Sequence, residues 1–381
     1  MTAIVPEDNS FTLVTEKETL GRLLEDLSHF DLAAVDTEAD SMYHYNVRLC
    51  LIQITIGDHH YIIDPFADID VASIFKTRAM QSLIIHGADY DLRMLWNTYQ
   101  FSPKHVFDTM LAAKFLGESG LGYASLVSRY FGVELPKDNQ KSDWTTRPLP
   151  SDMCEYAVHD TFYLHELCAK LGEQLKLQGK FEWLLETCDD LILKAQHTKE
   201  IDPERWRIAG SFKMPPKALH ILKSVWEWRE KEAEAMDRPP YKVFGTELML
   251  AIVRSVSYSY PNFSKETLPK LPRNFVGERK DSFFQMLKSA MTVPEADWPK
   301  MSERQAPPLY NPDGDLIDAL KEWRDERAIE LHFDPALLAN RNQLISLASP
   351  VGSTWNDRYD AAHFLNWQRT VWDGILRKNL T

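Results

Sequence analysis

The apolar run that begins at Leu32 and ends in Asp36-Thr37-Glu38 constrains this chain most. Leu32 to Glu38 reads as a buried strand, and residues two apart on a strand share a face. Asp36 and Glu38 then project together from the end of a buried element, where unpaired carboxylates are costly unless something compensates them. A second string, Tyr156-Ala157-Val158-His159-Asp160, puts a phenol and a carboxylate four residues apart, on one stripe of a helix. The two strings follow different periods, yet each aims oxygen atoms at a common point. Together they suggest hard oxygen ligands around divalent metal.

The residues between them set out an α/β layer. Leu49 to Ile56 is a second strand, and Gly57-Asp58-His59-His60 turns into a third, Tyr61 to Asp64, so these two form a hairpin closed by Pro65. The pattern then alternates: a helix over Val71 to Met80, a short strand over Ser82 to His86, a helix over Asp89 to Tyr99, a brief strand at His105-Val106-Phe107, and helices over Thr109 to Leu116 and Tyr123 to Phe131. Three strands followed by alternating helices and strands make a mixed sheet flanked by helices. Pro136 to Pro150 is a polar loop carrying Trp144 and Arg147, and one long helix is expected from Ser151 to Leu177, holding Tyr156 and Asp160. In the strand-to-helix turn Ile85-His86-Gly87-Ala88-Asp89-Tyr90-Asp91, Asp89 fits an N-cap.

Beyond a proline-containing connection at Ile201 to Pro216 the chain reads as helices only. Trp228-Arg229-Glu230, Ala233 and Pro240 recur as Trp323-Arg324-Asp325, Ala328 and Pro335 at an offset of 95. Two copies of a small helical module follow, separated by a proline-rich stretch around Pro294 to Pro312. Trp228 and Trp323 read as core tryptophans. The expected domains are 1–200, 211–293 and 310–381, in keeping with a length of 381 residues.

Four cysteines without a C-x-x-C pair argue against structural zinc and disulfide frameworks and fit a reducing compartment. The first residues, Met1 to Asp8, lack the pattern of a signal peptide, and no run reaches the roughly 20 apolar residues of a spanning helix. A cytoplasmic location and no membrane partner are the expectation. A formal net charge of −13 counts against a simple nucleic-acid binder, though a basic groove can exist on an acidic protein.

The order D-x-E (Asp36, Glu38), then H-x-x-x-x-D-L (His86 to Leu92), then Y-x-x-x-D (Tyr156, Asp160) resembles the DEDD superfamily of 3′→5′ exonucleases, and within it the ribonuclease D family. Trp144 and Arg147-Pro148-Leu149 are similar to the approach to its third motif, and the helical repeats to its HRDC module, best in Leu219 to Val253 and less clearly in Leu316 to Ala348. The resemblance implies a ribonuclease-H-like nuclease fold followed by two HRDC-like modules. It implies metal-binding acids at Asp36, Glu38, Asp91 and Asp160, holding two magnesium or manganese ions, and a water-orienting tyrosine at Tyr156. The histidine subgroup has a histidine five residues before its last acid, where this chain has Glu155, so the tyrosine subgroup is implied. His159, about 100° around the helix from Asp160, is expected to be structural or to face solvent.

The implied reaction removes 3′-terminal nucleotides as 5′-monophosphates, with RNA 3′ ends such as tRNA precursors as substrate. A DNA exonuclease and an inactive nucleic-acid-binding scaffold are the alternatives. Where the family has a bulky apolar residue after the second acid, this chain has Ala39-Asp40-Ser41. Tyr43, Tyr45 and His86 are the candidate substrate contacts, with stacking on a base the role open to the tyrosines.

Overall fold

The computed structural model describes residues 10–136, 140–197, 202–260, 265–301, 312–350 and 354–380. Met1 to Asp8, the 200/201 boundary and the middle of the proline-rich stretch lie outside them. The described residues divide into two compact units. The first holds the chain up to Ala39, from Leu49 to 197, and again from 312 onward; the second holds Asp40–Arg48 together with 202–301.

The first unit is built on six strands: β1 (Thr12–Val14), β2 (Ala33–Ala39), β3 (Leu49–Ile56), β4 (His59–Ile63), β5 (Ser82–Ile85) and β6 (His105–Asp108), in the order β1-β4-β3-β2-β5-β6. β3 is antiparallel to β2 and β4, while β1–β4, β2–β5 and β5–β6 are parallel. This is the expected mixed sheet with the expected hairpin, extended at one edge by β1, a three-residue strand too short to show a pattern of its own. β3 is buried along its whole length, as its unbroken apolar character requires of a central strand. Seven helices accompany it: α1 (Lys17–Ser28), α2 (Asp89–Tyr99), α3 (Thr109–Phe115), α4 (Tyr123–Phe131), α5 (Ser151–Phe162), α6 (Leu164–Leu177) and α7 (Phe181–Gln196). Leu20, Leu23 and Leu27 of α1, at spacings of three and four, are buried in the core.

Two expectations need correction. The helix expected over Val71 to Met80 is instead a pair of 3₁₀ turns, Val71–Lys76 and Ala79–Gln81, parted at Thr77, whose backbone is extended. The single helix expected from Ser151 to Leu177 breaks at Tyr163. There the backbone N–H of Tyr163 meets the Thr161 carbonyl and the Tyr123 hydroxyl (3.0 Å) instead of continuing the helical ladder, and α5 ends.

The second unit contains α8 (Pro216–Ala235), α9 (Pro240–Val243), α10 (Thr246–Ser259) and α11 (Gly277–Ala290) around its own core, where Trp228 meets Phe244, Phe275 and Phe283. The chain then returns to the first unit as α12 (Gly314–Leu331), α13 (Pro335–Leu338), α14 (Arg341–Leu347), α15 (Trp355–Ala361) and α16 (Asn366–Leu380). The sequence repeat is a structural one. In each copy an Arg pairs with the next acid (Arg229–Glu230, 3.0 Å; Arg324–Asp325, 2.6 Å). Ala233 and Ala328 are fully buried, and Pro240 and Pro335 each open a one-turn helix.

The second copy packs on the helices around the sheet within the first unit. The Trp367 ring stacks on Trp183 at 5.2 Å and meets Phe115 edge-on at 5.3 Å. Glu186 accepts the first backbone N–H groups of α16, from Asn366 (2.6 Å) and Trp367 (3.1 Å). The buried ammonium of Lys180 donates to the carbonyls of Phe115 (2.8 Å) and Leu331 (2.6 Å), which satisfies a charge that burial otherwise penalises.

Candidate active site and its relatives

Three elements supply the acids. On β2, Ala34, Asp36 and Glu38 lie on one face, and the small side chain of Ala34 lets Leu164 and Ile84 close in below the carboxylates. On α5, Met153, Cys154, Ala157 and Val158 pack with Leu51, Ile62 and Trp144. That anchoring, with the Thr161 hydroxyl 2.8 Å from that of Thr55, leaves Tyr156 and Asp160 on the stripe toward β2. Carboxylate oxygens of Asp36, Glu38 and Asp160 all come within 4.8 Å of one another. The strand and helix periods thus bring the two strings together as expected.

Asp91 stands outside that trio but close enough that its charge is felt by Asp36, Glu38 and Asp160. It is buried in the first turn of α2, and the Thr37 hydroxyl donates to its Oδ1 at 2.5 Å. Asp89 is not the N-cap; it is the first residue of α2, paired with Arg93 one turn on. Asp108 takes over the capping role. Its carboxylate accepts from the backbone N–H groups of Gly87 and Ala88 (both 2.9 Å) ahead of α2 and from Met110 (2.8 Å) and Leu111 (3.2 Å) in α3. It thereby fixes the start of the helix that carries Asp91. Gly87 adopts a φ of 77°, and a Cβ there would stand 3.0 Å from the Met110 Cε, so the turn requires glycine.

Burial and crowding act on these acids in the same direction. Asp36 is held well above the usual carboxylate range, first by burial and then by Asp91, Asp160 and Glu38. Glu38 is pushed up to about 9 by burial and by Asp160 and Asp91. Asp91 rises to about 7 through burial, against the Thr37 hydrogen bond, and Asp160 to about 7 through burial and Asp91. Desolvation outweighs mutual repulsion at each of them. Burial, then Asp160, Glu38 and Asp36, moves the Tyr156 phenol further above its ordinary value, so it stays protonated at neutral pH.

A stability consequence follows. Between about pH 4 and 9 the cation-free fold binds more protons at these acids than the unfolded chain, so its stability falls as pH rises through that window. In EDTA the thermal midpoint is expected to drop from about pH 5.5 to about pH 8.5, and saturating magnesium should remove much of that drop. Midpoints that rise across this range in EDTA would contradict the assignment.

An all-oxygen set of this kind suits a hard divalent cation, which restores the charged form of each acid. The donor chemistry therefore fits a divalent metal.

Beside Asp160, a cavity of about 470 Å³ is lined by His86, Tyr123, Tyr156, His159 and Asp160 among others. The His86 Nδ1 is 2.9 Å from the Thr109 hydroxyl, and its ring lies 5.5 Å from that of Tyr123. His159 is buried, with Nδ1 2.6 Å from the Glu155 carbonyl, which makes it structural rather than solvent-facing. Arg147 forks onto Asp64 (2.6 and 2.8 Å) and reaches the Cys50 carbonyl (2.9 Å), holding the loop that precedes α5.

The segment after Glu38 belongs to the helical unit. Buried Asp40 accepts from the Arg48 backbone (2.7 Å) and its Nε (2.9 Å), closing the loop. His44 lies 2.7 Å from Asp237, the Tyr45 hydroxyl donates to Glu230 (3.3 Å), and the Tyr43 carbonyl accepts from Arg238 (3.4 Å). Tyr45 is thus seated against the helical core.

Thr37, Asp108 and Tyr123 escaped the sequence reading. Thr37 points to the face of β2 opposite its two neighbours, and the other two carry no spacing signal.

Residues 11–176 match the family described as 3′–5′ exonuclease, and residues 218–259 match the HRDC domain. Ribonuclease D of Nitrobacter hamburgensis is 29% identical over 268 residues, covering 69% of each chain. Ribonuclease D of Escherichia coli is 28% identical over 345 residues, covering 89% of this chain and 90% of that one. The crystal structure of the Escherichia coli enzyme superposes with a TM-score of 0.69 at 24% identity, covering 97% and 99% of the two chains, which establishes a shared fold. Among the described residues no helix is long and apolar enough to cross a membrane. The chain thus contains a DEDD 3′–5′ exonuclease domain followed by an HRDC domain, and along most of its length it is similar to proteins named ribonuclease D.

Proposed function

We propose that this chain is a metal-dependent 3′→5′ exoribonuclease of the tyrosine subgroup, acting on the 3′ ends of tRNA precursors or other structured RNA. The observation that carries the reading is the convergence of Asp36, Glu38 and Asp160 within 4.8 Å, with Asp91 and Tyr156 beside them. The similarity to proteins named ribonuclease D, one described as an exoribonuclease involved in structured RNA processing, supports RNA over DNA.

In this reading Asp36, Glu38, Asp91 and Asp160 hold two divalent cations, magnesium or manganese. Bound ions of this kind activate water and neutralise charge on the phosphate. Tyr156, kept protonated by burial and by the acids, orients the attacking water by hydrogen bonding and does not serve as a strong base. Water adds to phosphorus, the bond to the 3′ oxygen breaks, that oxygen takes up a proton, and a nucleoside 5′-monophosphate leaves. The cavity beside Tyr156 and Asp160 offers His86 and Tyr123 to the departing nucleotide. We assign 1–200 to the nuclease domain and 211–293 to the first HRDC-like module. Residues 310–381 form the second, on the strength of the repeated Arg–acid pair and the repeated proline-led turn.

The test is incubation of 5′-labelled RNA and DNA of one sequence with magnesium, manganese or EDTA. A ladder shortening from the 3′ end of RNA alone, abolished by EDTA, is expected. Degradation of DNA alone would select a DNA exonuclease, and no ladder with either metal would select a silent scaffold. Tyr156→Phe is expected to lower kcat about 10²-fold or more while cation affinity and KM hold, since misplacing a reactant costs about that much. An unchanged kcat would remove its role.

A further inference from the structure

One buried side chain next to the acids has no use in the fold. Gln53 of β3 is fully buried, and among the described residues neither its amide nitrogen nor its amide oxygen has a hydrogen-bond partner. Such a group costs stability, and an apolar residue of the same size would fit the site better. In the sheet register Gln53 lies directly opposite Asp36 on one side and Ile62 on the other. Directly opposite residues share a face, with Cβ atoms about 4.5–5.5 Å apart.

The other directly opposite and flanking positions on the strands give the amide nothing to bond. Along β3 the flanking positions are Leu51 and Thr55, and the Thr55 hydroxyl is already taken by Thr161 (2.8 Å) and His60 (2.9 Å). The helix packed over Leu51 and Ile62 brings Ala157 and Val158. Among the residues directly opposite Gln53 or flanking it along β3, Asp36 is the polar group left to meet it.

We propose that Gln53 is a positioning residue for the metal site: when a divalent cation is held, its Nε2 donates to the Asp36 carboxylate and fixes that side chain against the cation. The proposal rests on the reading of Asp36 as a ligand. A donor of this kind orients the ligand and leaves the other oxygen directed at the metal, and losing one typically weakens metal binding about 10–100-fold.

The experiment titrates manganese alone into the full-length Gln53→Leu and Gln53→Met chains by calorimetry, without RNA, and records thermal midpoints in EDTA. Manganese affinity is expected to fall about 10-fold or more. The EDTA midpoint is expected to hold or rise, because an unpartnered amide has been replaced by hydrocarbon. Cleavage lost at limiting manganese should return at high manganese, which a damaged core would not allow. Wild-type affinity in either folded variant overturns the proposal, as does a fallen midpoint with unchanged affinity or failure of both variants to fold. Asp36→Ala is titrated alongside; manganese affinity retained there would mean that the ligand reading has failed, separately from Gln53.

Discussion

Asp36→Ala is expected to abolish cation-dependent cleavage, by more than about 10³-fold, while leaving the chain folded. Removing one preorganised charge-stabilising group from an active site already costs about 10²–10³ in rate, and Asp36 is the acid on which the other three converge. Asp36 feels Asp91, Asp160 and Glu38 together, which marks it as the hub. The fold should not suffer. In the absence of metal, Asp36 is a desolvated acid among acids, and deleting it relieves both penalties. The variant is therefore expected to melt in EDTA no lower than the parent, and to lose the stabilisation that magnesium gives the parent. Laddering of 5′-labelled RNA and melting curves with and without magnesium check both halves. Near-normal turnover would remove the metal assignment, and a collapsed midpoint would mean that the carboxylate has a structural role.

Trp367→Ala is expected to have the largest effect on stability, about 3–5 kcal/mol, the range for truncating a large buried aromatic. The indole is 4% exposed, lies against Trp183, Phe115 and Phe333, and donates from Nε1 to the Thr187 hydroxyl at 3.1 Å. Truncation leaves a cavity bounded by nuclease-domain residues on one side and C-terminal helices on the other. A total stability of about 5–15 kcal/mol makes that a large fraction. Urea unfolding followed by tryptophan fluorescence should show a lower midpoint, and RNA cleavage should decline at temperatures the parent tolerates. An unaltered midpoint would mean that the C-terminal helices are an appendage.

The sheet was legible because its strands are apolar runs bounded by turn residues, and the site because strand and helix periods each place two oxygen donors on a common face. Asp91 was legible only by resemblance; its own spacing cannot separate it from Asp89, and the structure distinguishes them by burial and by Thr37. The break at Tyr163 was hidden because it depends on a hydroxyl forty residues upstream. Asp108 looked like any acid before a helix, since nothing local reports that it also holds Gly87 and Ala88. The tandem repeat was visible as an offset of 95, but repetition says nothing about which neighbour each copy packs on. Lys180, Trp183 and Glu186 decide that for the second copy, through contacts made across more than a hundred residues of chain.

That discontinuity has a consequence for how the protein is made. The ribosome finishes Phe115, Lys180 and Trp183 first, then residues 202–301 of the helical unit, and only afterwards the helices that cover them. Until Phe333 and Trp367 emerge, the nascent chain carries an uncovered aromatic patch and a lysine lacking one of its carbonyl partners. An interrupted translation product thus bears a greasy scar that chaperones and proteases can read. A chain that carries its C-terminal helices conceals it.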